Sequence, residues 1–370
     1  MDAWEDVLRL RQKLDTDRRY NVLVISGGGA WGAWGAGVLA GWRSHPALPR
    51  PDHFDVVTAI STGSLLASHA FLGTPADDEA LREAYTTVSD ADIYVARPVW
   101  QIPFADSAGD TAPLQKLIAR YVTDDVIDRV AKEGLVGRRL FVGTTNLRTG
   151  RLKIWDLTDI ACDSNPNRYR RYRNILLAAT AIPVFFPPVD LDGELHCDGG
   201  ARDELFLDVS LFPVKECYQE QCEVAERFGL MDPLAKEKWL SDHQGRVPVR
   251  PRKPRVFVIV NGKLAIAESK PPRGLIDIGS RAVSLLLNAN LLGNLNRVEW
   301  AVKAAGMEFH MSRVPDRIAD VGVLDKKFEQ KAMNILYDRG VQWGRGAIPG
   351  DKWEDAVPGP SVYRELERRQ

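Results

Sequence analysis

The segment VLVISGGGAWGAWG, residues 22–35, limits the fold more than any other stretch of the chain. Val22, Leu23, Val24 and Ile25 form an apolar run with strand preference. Gly27, Gly28 and Gly29 follow at once, and three glycines inside a helix would cost about 3 kcal/mol relative to alanine. Tyr20–Trp42 carries no charge and is long enough for a bilayer span, and Gly28/Gly32 and Gly37/Gly41 have the spacing of small-residue helix contacts. The glycine triplet argues against one continuous helix. The segment therefore reads as a buried strand (20–26), a loop (27–29) and a helix (30–42).

The alternation continues. HFDVVTAI (53–60) is a second apolar run, and Thr62–Leu72 has helical composition and spacing. Strand, helix, strand, helix at this pace predicts a parallel sheet covered by helices. Thr111 with Pro113, and Thr123 with Asp124 and Asp125, read as helix starts. RRLFVGTTN (138–146) and RLKIWDL (151–157) flank a turn at Arg148-Thr149-Gly150, and Asn174–Ile182 reads as a short buried helix ended by Pro183. A turn at 191–194 precedes a strand ending at Asp198, RVFVIVNG (255–262) reads as a strand buried on both faces, and 274–305 and 325–343 carry helical patterns. The organisation expected is an N-terminal extension (1–19), one α/β domain (20–349) with a lid or surface insertion at 213–254, and a C-terminal tail (350–370).

With 370 residues, 45% of them hydrophobic, the chain can bury a substantial core. Its 49 basic and 50 acidic residues nearly cancel, so no overall field favours nucleic acid or an anionic membrane, and nucleic acid is not an expected partner. Cys162, Cys197, Cys217 and Cys222 are too few and too scattered for a disulfide framework or a metal site, and reduced, packed thiols are expected. The charged start of the chain lacks the apolar segment of a secretory signal, which leaves a cytoplasmic or peripheral-membrane location as the expectation. The Arg168–Arg173 run, RYRRYR, reads as a solvated helix start with head-group contact as the alternative. Trp100 with Ile102, Pro103 and Phe104 forms an apolar loop, either core or the wall of an acyl pocket.

Two chemistries compete for the glycine block. Gly27, Gly29 and Gly32 match the spacing of a dinucleotide-binding loop between strand and helix. That reading needs an acidic residue at the far end of the second strand, whereas Asp52 and Asp55 stand at its near end. The alternative begins at Ser61, which sits at a strand-to-helix junction, ISTG, with the setting of a nucleophile elbow. Ala59 replaces the first glycine of G-x-S-x-G. In a parallel sheet the glycine loop would end beside Ser61, and backbone N–H groups at a helix start suit the oxyanion of acyl transfer. Asp198, followed by Gly199 and Gly200, can present a carboxylate at a strand end. His243 and His310 are the histidines placed late enough to complete a Ser-Asp-His order, and neither lies in a motif. No residue cluster suggests a metal, and no cofactor is expected.

Together GGGAWGAWGAGVL, AISTGS, LAATAIPVFFPPV (177–189) and CDGG resemble the patatin-like phospholipase family over roughly residues 20–262. The resemblance implies a three-layer α/β/α fold around a central, mainly parallel sheet, and a lipid acyl hydrolase of phospholipase A or lysophospholipase type. It implies a dyad of Ser61 as nucleophile and Asp198 as base, and an oxyanion hole drawn from the N–H groups of Gly27, Gly28, Gly29 and Thr62. Trp31 stands where the family often carries Arg or Lys, so it is expected to pack or to line the acyl route. The implied partners are a phospholipid or other acyl ester and, peripherally, a membrane. A Rossmann-type oxidoreductase and a non-catalytic membrane-binding module are the alternatives.

Overall fold

The computed structural model describes residues 19–98, 100, 105–207, 253–265, 271, 273–316, 318 and 328–358. The principal elements are β1 (Asn21–Ile25), α1 (Gly32–Trp42), β2 (Val56–Ile60), α2 (Thr62–Leu72), α3 (Pro75–Thr86), α4 (Ala112–Tyr121), α5 (Asp124–Leu135), β3 (Arg139–Asn146), β4 (Leu152–Asp156), α6 (Arg168–Ala179), β5 (Val189–Leu191), β6 (Glu194–Asp198), β7 (Arg255–Val260), α7 (Leu275–Ala304), β8 (Glu308–Arg313) and α8 (Gln330–Gly344). Eight strands form one sheet in the order β8-β7-β1-β2-β3-β6-β5, with β4 also paired to β3. From β8 to β3 the pairing is parallel, and β4, β6 and β5 run antiparallel to their neighbours.

Alternate residues of the central strands enter two separate cores. Leu23, Ile25, Val57, Ala59, Phe257 and Ile259 face a core shared with α1 to α6 and α8. Val22, Val24, Val56, Ile60, Val256 and Val258 face a second core, closed by Leu291, Leu295, Val298 and Val302 of α7. Strands buried on both faces read as continuous apolar runs, and so the sequence showed them. The result is a mainly parallel sheet between helical layers, as expected.

Local signals fix the helix ends. Thr74 caps α3 in a reciprocal box with Asp77, Pro75 occupies the first turn, and Gly73 ends α2 in the left-handed conformation. The expected 30–42 helix divides into a single 3-10 turn (Gly29–Trp31) followed by α1. Where the sequence suggested a helix beginning at Asn174, α6 starts six residues earlier, at Arg168. Arg168 pairs with Asp128, Arg171 with Asp192 and Arg173 with Asp124, while Tyr172 is fully buried against Ser68. The basic run is thus largely spent on docking α6 to the domain.

All but the last two residues of the expected insertion at 213–254 lie outside the described residues, as do Cys217, Cys222, His243, Ile102, Pro103 and Phe104. Cys162 and Cys197 are free thiols. Among the described residues no helix is long and apolar enough to cross a membrane, and no group of three metal-ligating side chains occurs.

Candidate active site

Sheet register brings the predicted residues to one level. Ile60 on β2 pairs with Gly143 on β3, and the next β3 residue, Thr144, pairs with Asp198 on β6. Ser61, one step past Ile60, and Asp198 therefore flank β3 at the same height. The glycines close the gap between them: a Cβ on Gly199 would approach the Gly143 carbonyl oxygen to 2.6 Å.

Ser61 has the sharp backbone of an elbow, with φ 52° and ψ −130°, a conformation that costs a non-glycine residue about 1–3 kcal/mol. Helix α2 starts at the next residue. Its close seating depends on Gly63, where a Cβ would lie 2.7 Å from the carbonyl oxygens of Ile25 and Ser26. Ala59, the departure from the glycine pattern, is buried in β2 and paired with Ile25.

Asp198 is 4% exposed. Its Oδ1 accepts the Gly200 N–H at 2.8 Å, while Oδ2 makes no regular hydrogen bond. Burial pushes the carboxyl up to about 7, partly opposed by interaction with the Ser61 hydroxyl and by the Gly200 N–H.

The glycine loop crosses the end of β1 beside Ser61. Gly28 has φ 147° and Gly29 φ 57°, values open to glycine alone or nearly so. At Gly28 a Cβ would also run into the Asn261 carbonyl oxygen. Asn261, directly after β7, pins the loop: its N–H donates to Ser26 Oγ and its side-chain amide to the Ser26 carbonyl, both at 2.9 Å. One expectation needs correction. The Gly27 N–H donates to the Glu204 carbonyl at 3.0 Å and is not free for an oxyanion. The N–H groups of Gly28 and Gly29 have no hydrogen-bond acceptor among the described residues, and Thr62 opens α2, where the first N–H groups lack helical partners.

Ser61, Gly29 and Thr62 stand on the wall of an apolar cavity. Leu65 and His69 of α2, Leu81, Ala84 and Tyr85 of α3, and Leu114 and Ile118 of α4 form most of the remainder, with Ile182 and Phe186 on another side. Trp31 does not line it; its ring packs into the sheet–helix core. His69 lines the same cavity as Ser61, and the sequence did not single it out. Its Nδ1 lies 2.9 Å from Asp77 and its Nε2 3.0 Å from the Tyr121 carbonyl oxygen. Both ring nitrogens are thus held by partners other than Ser61. His310 stacks on Phe257 and faces Glu308, away from Ser61 in the sheet order.

Glu204 was also missed. It follows the Asp-Gly-Gly turn, and its carboxyl oxygens crowd Gly27 and Gly200. Its place in the charged stretch Arg202-Asp203-Glu204 and its distance along the chain from Gly27 hid it.

A mainly parallel sheet between helical layers, with a sharp turn at Ser61 and a buried Asp198 at the same strand level, defines the class as a three-layer α/β protein. The family model for patatin-like phospholipases matches residues 23–211, half of the chain, and the chain belongs to that family. A protein of Pseudomonas aeruginosa (strain BWHPSA011 / Pa011) described as a cGAMP-activated phospholipase is 28% identical over 189 residues, 49% of this chain and 52% of that protein. The chain thus spans about half the length of that relative. The crystal structure of VipD from Legionella pneumophila aligns with 94% of this chain and 73% of its own, at 10% identity and a TM-score of 0.39, too distant to bear on the assignment.

Proposed function

We propose that the protein hydrolyses acyl esters of lipids through Ser61 and Asp198. The single observation that supports the reading is that Ser61, on the wall of an apolar cavity, stands at the same strand level as the buried Asp198 and next to the glycine loop. Ser61 Oγ attacks the ester carbonyl carbon while Asp198 takes the hydroxyl proton. The tetrahedral oxyanion is held by the N–H groups of Gly28 and Gly29, aided by Thr62. Collapse breaks the ester bond, and Asp198 returns the proton to the departing alcohol. Water, deprotonated by Asp198, then attacks the acyl-enzyme, and as the acyl–Oγ bond breaks Asp198 returns the proton to Ser61 Oγ and the fatty acid leaves.

The chemistry of the site fits these roles. A base serves best when it titrates near working pH, and Asp198 at about 7 meets that condition. The cavity offers the acyl chain an apolar wall. A dinucleotide reading finds no support, since the loop that would grip a pyrophosphate opens beside Ser61 and the apolar cavity. The test is a fluorophosphonate probe with peptide mapping, together with release of fatty acid from phospholipid vesicles and from water-soluble esters. Labelling is expected at Ser61, and Ser61→Ala is expected to lose both labelling and hydrolysis while keeping its circular dichroism. An unlabelled, folded wild type refutes the proposal.

A further inference from the structure

The second carboxyl group of the site has no assigned task. Glu204 is half-buried between the glycine loop and the Asp-Gly-Gly turn. A Cβ on Gly27 would collide with its Oε2 and lie 3.1 Å from the Cβ of Ser61. A Cβ on Gly200 would lie 2.9 Å from Glu204 Oε1 and 3.2 Å from Asp198 Oδ1. One carboxyl therefore touches the surroundings of the nucleophile, the base and the loop of the oxyanion hole at once.

The backbone of Glu204 holds it there. Its carbonyl accepts the Gly27 N–H, and its N–H donates to Asn294 Oδ1 on α7 at 2.7 Å. The charged groups around it can be followed element by element. The Asp-Gly-Gly turn contributes Asp198. Asp203, next in the chain, is drawn away to Arg297 at 2.7 Å and Asn294 at 2.9 Å. Helix α7 otherwise faces this turn with the neutral amides Asn290 and Asn294. The glycine loop and the Ser61 elbow carry no charged side chain. Among the described residues no cation pairs with Glu204.

Two carboxyls in one site without a cation do not both ionise readily. Asp198 must be ionised to serve as base, which leaves the proton on Glu204. We propose that Glu204 is a positioning residue which must be neutral for turnover, and that its ionisation silences the Ser61–Asp198 pair. A glutamate anion beside Gly27 would set a negative charge against the oxyanion that the neighbouring amides are placed to receive, and would draw the shared proton balance toward an inactive, doubly charged site. Burial and the Asp198 charge push Glu204 up to about 8, consistent with this division. The inference rests on the proposed hydrolase function.

The test is the pH profile of fluorophosphonate labelling and of kcat/KM for a short-chain ester, in wild type and Glu204→Gln. Wild type is expected to give a bell, rising as Asp198 ionises and falling above about pH 8. One pH unit past that fall it should retain about a tenth of its optimum. In Glu204→Gln, a neutral mimic of the protonated acid, the alkaline fall should vanish while the acid limb stays. Labelling of Ser61 with an unchanged alkaline limb in Glu204→Gln overturns the role of Glu204 alone. No labelling of Ser61 in wild type at any pH sinks the hydrolase reading and this proposal with it. Should Glu204→Gln not fold, carboxyl-carbon NMR of wild type with labelled glutamate decides: a glutamate titrating in the alkaline range is expected, and none doing so overturns the proposal.

Discussion

At the scale of single residues, the buried aspartate links activity to stability. In the unfolded chain Asp198 loses its proton near its ordinary value of 3.8, whereas the folded protein holds that proton until about 7. Between those values the folded state carries more protons than the unfolded one, so stability falls as pH rises through this window and is level above it. At 1.36 kcal/mol per unit the cost of ionised Asp198 has a ceiling of about 4 kcal/mol. Asp198→Asn removes this cost and keeps an oxygen for the Gly200 N–H. The variant is expected to melt above wild type at pH 8, with the difference shrinking toward pH 4, while ester hydrolysis falls by about 10²–10⁴-fold. Thermal melts followed by circular dichroism at both pH values, with ester assays at pH 8, check the two halves. Equal melting temperatures at pH 8 would show that Asp198 is no burden to the fold. The acid limb of the wild-type profile should also follow Asp198, with activity rising through about pH 7.

At the scale of elements, the apolar cavity beside Ser61, proposed as the acyl tunnel, is the work of α2, α3 and α4 acting together. Ala84 is the smallest side chain that α3 contributes to its wall. Ala84→Phe projects a ring into the space and is expected to shorten the chain that fits. If the tunnel loses room for two methylenes, about 1.6 kcal/mol of burial is forfeited at 0.8 kcal/mol each, roughly a tenfold drop for long chains. A series of nitrophenyl esters of rising chain length should show kcat/KM falling for the long members and holding for the short ones. A uniform loss across the series would place the acyl chain elsewhere. The contrast between what the sequence disclosed and what it hid follows the same division. The glycine loop, the turn at Ser61 and the Asp-Gly-Gly turn are each encoded within a few adjacent residues, so the candidate site could be read from the sequence as an expectation. The cavity could not be, because the sequence marked only the start of α4 and did not single out α3, and nothing local says that Leu81 or Ile118 lines a cavity with Ser61. His69 sat unnoticed in an apolar helix because its partners, Asp77 and the Tyr121 carbonyl, come from two other elements. The Gly27 N–H was expected in the oxyanion hole, and only the fold could reveal that the Glu204 carbonyl had taken it.

At the scale of the whole molecule, the active-site loop depends on a helix crossing that the glycine spacing foretold in a different setting. Gly37 and Gly41 of α1 have the small-residue spacing of a membrane helix pair, yet here they press against α8 inside the domain core. A Cβ on Gly37 would strike the Tyr337 carbonyl, and one on Gly41 the Val341 carbonyl. The contact is reciprocal: on α8 a Cβ at Gly340 would come within 2.5 Å of the Trp34 carbonyl oxygen, and at Gly344 within 2.6 Å of that of Val38. Backbone thus lies on backbone, which cannot yield as a flexible side chain can. By helix propensity alone Gly340→Ala should stabilise the protein by about 1 kcal/mol. The crossing predicts the opposite sign, a loss of about 1–3 kcal/mol from overpacking. Gly293 on α7 is exposed with open space where a Cβ would stand, so Gly293→Ala serves as the control and should be neutral or stabilising. Urea unfolding of the two variants measures both. Because α1 begins directly after the glycine turn, displacement of α1 by Gly340→Ala should also misplace the Gly28 and Gly29 amides, lowering kcat while KM changes little. A Gly340→Ala protein as stable as Gly293→Ala would mean that α1 and α8 can part without cost, and that the loop beside Ser61 is held by Asn261 rather than by the helix behind it.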